Sequence, residues 1–192
     1  MDVVSENLPI ALACRDLIAT PRFELPEGIR ARPYRQGDEP LWLKIQGAAD
    51  RYNEITLELF RRQFGWDPSP LEERQLYLCS SAGEHIGTAT AWFDPAYRGE
   101  RWGRVHWVAI VPEWQGRGLG RALMSLTCQR LIELGHRRAF LTTSTARLPA
   151  LNLYLQFGFL PEIRGESDRD AWRRMEPYLA GAIPWERLQA AD

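Results

Sequence analysis

The chain has 192 residues, and at roughly 150 residues per domain this argues for one domain with modest additions rather than a multidomain assembly. Lys and Arg number 24 against 25 Asp and Glu, a net charge of -1, so no global charge marks a nucleic-acid or polyanion binder. A hydrophobic fraction of 45% with 26% charged residues excludes disordered and collagen-like chains. Cys14, Cys79 and Cys128 are odd in number and form no C-x-x-C pair, which predicts neither a disulfide framework nor a zinc site, and reduced thiols in a cytoplasmic protein. The apolar run Pro9 to Cys14 has no basic residue before it and is broken by Arg15 and Asp16. It is neither a signal peptide nor a bilayer span, so no membrane partner is expected.

Residues 1–27 carry Pro9, Pro21 and Pro26 and little periodicity. They read as an extension of unassigned role in which Pro9 to Ile18 forms a short helix. Gly28 to Tyr34 alternates like a strand, and Gly37-Asp38 caps a helix through Leu41, Trp42, Ile45 and Ala48. Thr56 caps a second helix reaching Phe64, and Gly65 to Pro70 is a loop. Gln75–Ser80 and Ile86–Phe93 form a hairpin around Ser81 to Glu84. Arg104 to Val111 is a β-branched and aromatic strand ended by Pro112, and Gly118 to Leu134 is a helix closed by Gly135. Arg138 to Thr143 is a strand, Pro149 opens a helix that Gly158 closes, and Phe159 to Arg164 is extended again. Trp172, Met175 and Leu179 share a face of a last helix from Asp168, after which Gly181 and Pro184 end regular order, leaving 181–192 as a tail.

The stretch Gln115-Gly116-Arg117-Gly118-Leu119-Gly120 lies between a strand and a helix. Backbone N–H groups converge there, the dipole favours negative charge, and glycine lets a phosphate reach the chain. Its G-x-G-x-G spacing misses the dinucleotide fingerprint, and no G-K-[ST] follows. From Trp114 to Arg147 six arginines (117, 121, 130, 137, 138, 147) face one acid, Glu133, giving +5 over 34 residues, whereas residues 1–113 sum to -4. The neutral total therefore hides a basic patch around the turn, suited to a phosphorylated cofactor.

Gln115 to Gly120 resembles the Q/R-x-x-G-x-G/A signature of the GNAT superfamily of acyl-CoA-dependent N-acyltransferases. Ala150-Leu151-Asn152-Leu153-Tyr154-Leu155-Gln156-Phe157-Gly158-Phe159 is similar to its A-x-x-L-Y-x-x-x-G-F. The resemblance covers about residues 28–164 in architecture and implies an α/β fold. That fold is a mixed, mostly antiparallel twisted sheet of six or seven strands, with a splayed central pair and flanking helices, in a domain over residues 28–180. It further implies that backbone N–H groups from Gly116 through Arg121, with Gln115, Arg117, Leu119 and Arg121 around them, hold the pyrophosphate of acetyl-CoA. Main-chain groups of Val108 and Ile110 would pair with the pantetheine arm. The Val108 N–H would bind the developing oxyanion, and Tyr154 would protonate the departing thiolate.

Two positions depart from the pattern. Many relatives place a Glu where Arg104 stands, so the general base is open among His106 on the same strand face, Glu113 and water. Arg147 stands where many relatives carry a cofactor-contacting Asn, and reads either as a phosphate contact or as a surface residue. The run Arg147-Leu148-Pro149-Ala150 is similar to a subset of the family that includes mycothiol-synthase-like domains, and with one such domain here no substrate is inferred from it. Trp42, Trp66, Trp107 and Trp114 are core or acceptor-pocket residues. The resemblance has the acceptor gripped by the two early helices and a last hairpin, and Asp50, Glu54, Glu58 and Asp67 there suit a cationic amine.

The expected activity is acetyl transfer to a primary amine of a small molecule or peptide, by direct attack in a ternary complex without metal. A noncatalytic acyl-CoA sensor, a longer-chain acyltransferase and an unrelated nucleotide-binding domain are the alternatives. The oligomeric state is open, a homodimer included.

Overall fold

The computed structural model describes residues 2–189. In chain order the elements are α1 (Val3–Glu6), β1 (Pro9–Cys14), β2 (Arg30–Pro33), α2 (Glu39–Ala49), α3 (Leu57–Phe64) and α4 (Leu71–Arg74). They continue with β3 (Gln75–Cys79), β4 (His85–Tyr97), β5 (Glu100–Ile110), α5 (Leu119–Glu133) and β6 (Ala139–Ser144). The chain ends in α6 (Leu148–Gln156), β7 (Leu160–Pro161), α7 (Glu166–Met175) and α8 (Trp185–Gln189). The strands form one sheet in the order β2-β3-β4-β5-β6-β1-β7, antiparallel throughout except where β5 meets β6.

The expected helix over Pro9 to Ile18 is instead the strand β1. It pairs with β6 from Pro9↔Ser144 to Cys14↔Ala139 and with β7 at Leu12↔Pro161 and Ala13↔Leu160. A strand covered on both faces and both edges buries consecutive residues, and Ile10 to Cys14 are all buried. Its sequence therefore reads as an apolar run without the period of either element. Leu12 is 0% exposed, so its truncation to Ala would cost about 2–5 kcal/mol. This strand also displaces the last hairpin: β7 takes its partner from the start of the chain, and α7 follows in place of a returning strand.

Local chemistry accounts for most other elements. Thr56 Oγ1 accepts from the Leu59 N–H at 3.1 Å and caps α3 as expected. Asp38 makes no side-chain cap to α2, because its carboxylate holds Arg32 and the Arg35 N–H. The β4–β5 hairpin extends well past Phe93 and turns at Arg98 and Gly99, with φ of 52° and 77°, the left-handed pair that a two-residue hairpin requires. Helix α8 lies beyond Gly181 and Pro184 and corrects the expectation that order ends there.

The sheet separates two apolar bodies. Val105, Leu12 and Leu141 pack with Met124 and Cys128 of α5, Tyr154 of α6 and Trp172 of α7. Trp42 and Ile45 of α2 pack with Phe60 and Phe64 of α3, against Ala89 and Ala109. Neighbours on β5 divide between them: Val105 joins the α5 side, while the His106 ring lies 5.5 Å from that of Phe64.

Candidate active site

Strands β5 and β6 pair only at Gly103↔Ala139 and Arg104↔Phe140. From Val105 onward they diverge, while β6 stays with β1 as far as Ser144. A bulge follows within the diverging stretch. Between the pairs Thr88↔Ala109 and Thr90↔His106, β4 advances two residues and β5 three, and Trp107 takes φ of 51°. A large residue in that region costs about 1–3 kcal/mol and persists only where its surroundings enforce it. Gln46, 2% exposed, donates from Nε2 to the Trp107 carbonyl at 2.8 Å. The indole Nε1 donates to Gln63 Oε1 at 3.2 Å, and the ring lies edge-on to Trp42 at 5.1 Å.

Past the bulge, the Val111 N–H donates to Ile86 on β4 at 3.0 Å. Alternation then turns the polar main-chain groups of Ile110 and Val108 to the opposite edge, into the gap between the strands. The Ile110 carbonyl accordingly accepts from Gln115 Nε2 at 2.8 Å rather than from β4. The result is a cleft of about 760 Å³ that holds the glycine-rich turn, Val108, Ile110, His106, Arg104, Arg147 and Tyr154.

At the turn, Gly116 and Gly118 have φ of 75° and 79°, a conformation that glycine adopts without strain. A Cβ on Gly120 would stand 3.3 Å from Leu153 Cδ2, so this glycine lets α5 approach α6. The Arg121 N–H donates to the Gly118 carbonyl at 3.1 Å and closes the helix start. Among the described residues, the N–H groups of Gly116, Arg117 and Gly118 meet no protein acceptor. Such a nest at the first turn of a fifteen-residue helix fits a pyrophosphate.

Of the six arginines in the basic stretch, Arg121 and Arg147 line the cleft. Arg121 lies over the Phe23 ring at 5.1 Å. Arg117 folds back over Trp114 at 4.7 Å and donates to the Glu113 carbonyl. Arg130 pairs with Glu133 and Arg138 with Glu100. Arg147 spans the cleft mouth: its Nη2 donates to both Asp50 oxygens at 3.0 and 2.9 Å, Nη1 reaches Ser144 Oγ at 2.8 Å, and the guanidinium covers Tyr52. Burial pushes the Asp50 carboxyl up, but hydrogen bonds from the Tyr52 N–H and Asn53, with the Arg147 charge, outweigh it and hold the group below its ordinary value.

The Tyr154 side chain is 8% exposed, and burial pushes its pKa up to about 12, opposed by Arg147. It stays a protonated phenol at any working pH. His106 is 7% exposed, and its Nε2 is buried without a hydrogen-bond partner. Burial, with Arg104 nearby, drives its pKa well below the ordinary histidine value, so the ring is neutral. Glu113 is exposed and outside the cleft. Trp107 and Trp114 line the cleft, Trp42 is fully buried, and Trp66 is 81% exposed. Of the four acids read as an amine-binding set, only Asp50 lines the cleft; Glu54, Glu58 and Asp67 are exposed surface residues. Sequence reasoning missed Gln46, Gln63 and the position of Arg104, whose partners lie tens of residues away. Among the described residues no group of His, Cys, Asp and Glu could hold a metal, and no helix is long and apolar enough to cross a membrane.

A splayed sheet edge, a glycine turn, a bulged strand and a buried tyrosine meet in one cleft. The model of the Acetyltransferase (GNAT) family matches residues 42–159, and the chain belongs to that family. The chain is 30% identical over 148 residues to the mycothiol acetyltransferase of Pseudarthrobacter chlorophenolicus, covering 72% of this chain and 45% of that protein. It is 31% identical over 147 residues to the mycothiol acetyltransferase of Streptomyces bingchenggensis, with 72% and 45% covered. It thus spans about half the length of the curated relatives it matches. A GCN5-related N-acetyltransferase from Sphaerobacter thermophilus superposes with a TM-score of 0.67 at 23% identity, over 80% of this chain and 48% of that one. The ribosomal-protein-S18-alanine N-acetyltransferase from Escherichia coli does so at 0.54 and 19%, over 68% and 76%. These likenesses show the fold.

Proposed function

We propose that the protein transfers the acetyl group of acetyl-CoA to a primary amine by direct attack in a ternary complex. The observation that carries this reading is the convergence in one cleft of the nest at Gly116 to Gly118, the open edge at Val108 and Ile110, and the Tyr154 hydroxyl. The nest, with Gln115, Leu119, Gly120 and Arg121 around it, holds the pyrophosphate. Val108 and Ile110 receive the pantetheine arm as an added strand. Ile110 offers its N–H, because Gln115 occupies its carbonyl. Arg147, tied to Asp50 and Ser144, is an ion-paired strap across the cleft.

The amine nitrogen bonds to the thioester carbonyl carbon while the Val108 N–H meets the growing negative charge. The C–S bond then breaks, Tyr154 protonates sulfur, and the ammonium proton leaves through His106 or water. Neutral His106 has the free lone pair a base needs, but its low pKa makes it a weak one. Glu113 drops out because it stands outside the cleft.

Tyr154→Phe tests the assignment. Thiol release from acetyl-CoA with an accepted amine should fall tenfold or more, at least about 1.4 kcal/mol, with acetyl-CoA affinity unchanged by calorimetry. Unchanged turnover would remove Tyr154 from the chemistry. Acetyl-CoA binding without thiol release across a broad amine panel would make the chain a sensor.

A further inference from the structure

Arg104 occupies the apex of the cleft, as the last β5 residue that pairs with β6. Its side chain leans across that rung: Nη2 donates to Thr142 Oγ1 at 3.2 Å, and the guanidinium lies over the Phe140 ring at 5.6 Å. Its Nε is buried and, among the described residues, donates to nothing. Asp94 is near enough for its charge to be felt but forms no ion pair with it. A buried guanidinium donor without an acceptor is costly to maintain, and natural proteins seldom keep one without a use. Arg32, Arg98 and Arg147 each meet a carboxylate.

The rest of the cleft supplies no counter-charge. Asp50 is the single acid among its lining residues, and Arg147 takes both of its oxygens. His106, on the same strand face as Arg104, is neutral. The CoA phosphates are not the missing partner either. The nest lies beyond Ile110, six residues along β5 from Arg104, a span of about 20 Å at ~3.3 Å per residue. Arg104 thus lines the cleft at the end away from the phosphate nest, with no carboxylate against it among the described residues.

We propose that Arg104 selects the acceptor: the molecule bearing the reactive amine also bears an oxyanion, a carboxylate or phosphate ester, that docks on the guanidinium fork while its amine faces Val108. This rests on the acetyltransferase reading above. Arg suits the role because its planar fork matches both anions and keeps its charge at every working pH.

The test pairs each anionic amine with a neutral twin: glycine, β-alanine and 4-aminobutanoate against their amides, and glucosamine 6-phosphate against glucosamine. Thiol release from acetyl-CoA should favour the anionic member of at least one pair tenfold or more in kcat/KM. The pair that responds separates carboxylate from phosphate. Arg104→Gln should bring that ratio within about twofold, chiefly through KM, and Arg104→Lys should restore part of it. Preference for the neutral twins, or an unchanged ratio in Arg104→Gln, overturns the proposal.

A readout independent of turnover separates this inference from the reading beneath it. In arginine-labelled, CoA-saturated protein, the Nε–H resonance lost in Arg104→Gln should shift on titration with sodium propionate or sodium phosphate and not with sodium chloride at equal ionic strength. An unmoved resonance refutes the anion site, whereas a shifted one without any thiol release refutes the acetyltransferase reading and leaves the anion site standing.

Discussion

The site depends on a backbone distortion, and Gln46 is the residue that enforces it. In Gln46→Leu the side chain keeps nearly its volume and loses the donor to the Trp107 carbonyl, a 2.8 Å contact made by a residue 2% exposed. Leaving that carbonyl unpaired costs about 1–3 kcal/mol, and the ~1–3 kcal/mol held in the left-handed Trp107 favours relaxation of the bulge. Part of the first cost is recovered by burying an apolar side chain, so a net loss of ~2 kcal/mol is expected. For a chain of this length that lowers Tm by about 4–8 °C. The functional effect comes from aim. Deleting an oxyanion donor outright costs about 10²–10³ in kcat, and a Val108 N–H that is misdirected rather than lost should cost about tenfold. Urea unfolding gives the stability and thiol release gives kcat. Gln63→Leu is the control, since it removes the indole's acceptor and leaves the carbonyl held. A Gln46→Leu enzyme that is less stable but fully active would show that the β4–β5 ladder alone keeps the bulge in register, and the reasoning would fail.

Three further outcomes follow from the same geometry. Asp50→Asn removes the carboxylate that Arg147 grips and should cost about 1 kcal/mol at pH 7. The Asp50 pKa is depressed in the fold, so its contribution is present above the ordinary value of 3.8 and lost as pH falls through the folded value. The gap between wild type and variant in urea midpoints should therefore close on acidification, and a pH-independent gap would refute it. His106 behaves in the opposite sense to a stabilising histidine. Its folded pKa lies below 6.5, so the unfolded chain binds the extra proton and stability falls as pH drops below 6.5, by up to about 1.4 kcal/mol per unit. His106→Phe should flatten that loss between pH 6.5 and 5, and the expectation fails if the acid sensitivity is unaltered. In the same variant, kcat retained at pH 8 would assign proton removal to water, whereas a loss above tenfold would assign it to His106.

What could be read from the sequence was what is local. Thr56 caps α3 because its hydroxyl meets an N–H three residues on. The glycine turn was legible because its conformation is written in Gly116 and Gly118 themselves. Strand β1 was not, because its identity comes from partners about 130 residues away. A run buried on every side carries no period from which to tell helix from strand. Asp38 shows the limit from the other side: a sound local cap lost to Arg32, which reaches it from β2.

The charge pattern tells the same story about the site. Summing charge along the chain located a basic stretch, yet Arg130 and Arg138 discharge onto Glu133 and Glu100, and Arg117 lies on Trp114. Charge counted by position overstates potential wherever the fold supplies a neighbouring acid, because a paired surface arginine projects little field beyond its partner. The acidic half misled in the same way, since Asp50 is neutralised by an arginine from the basic half. Arg104, whose buried Nε meets no acceptor, belongs to neither pattern. It is conspicuous only once β5 and β6 are seen to part at that residue, leaving its Nε under cover with no acceptor. The electrostatic character of the cleft is therefore set by which charges the topology leaves over, and here that remainder, Arg104 at the apex with Arg51 and Arg121 in the lining, is positive.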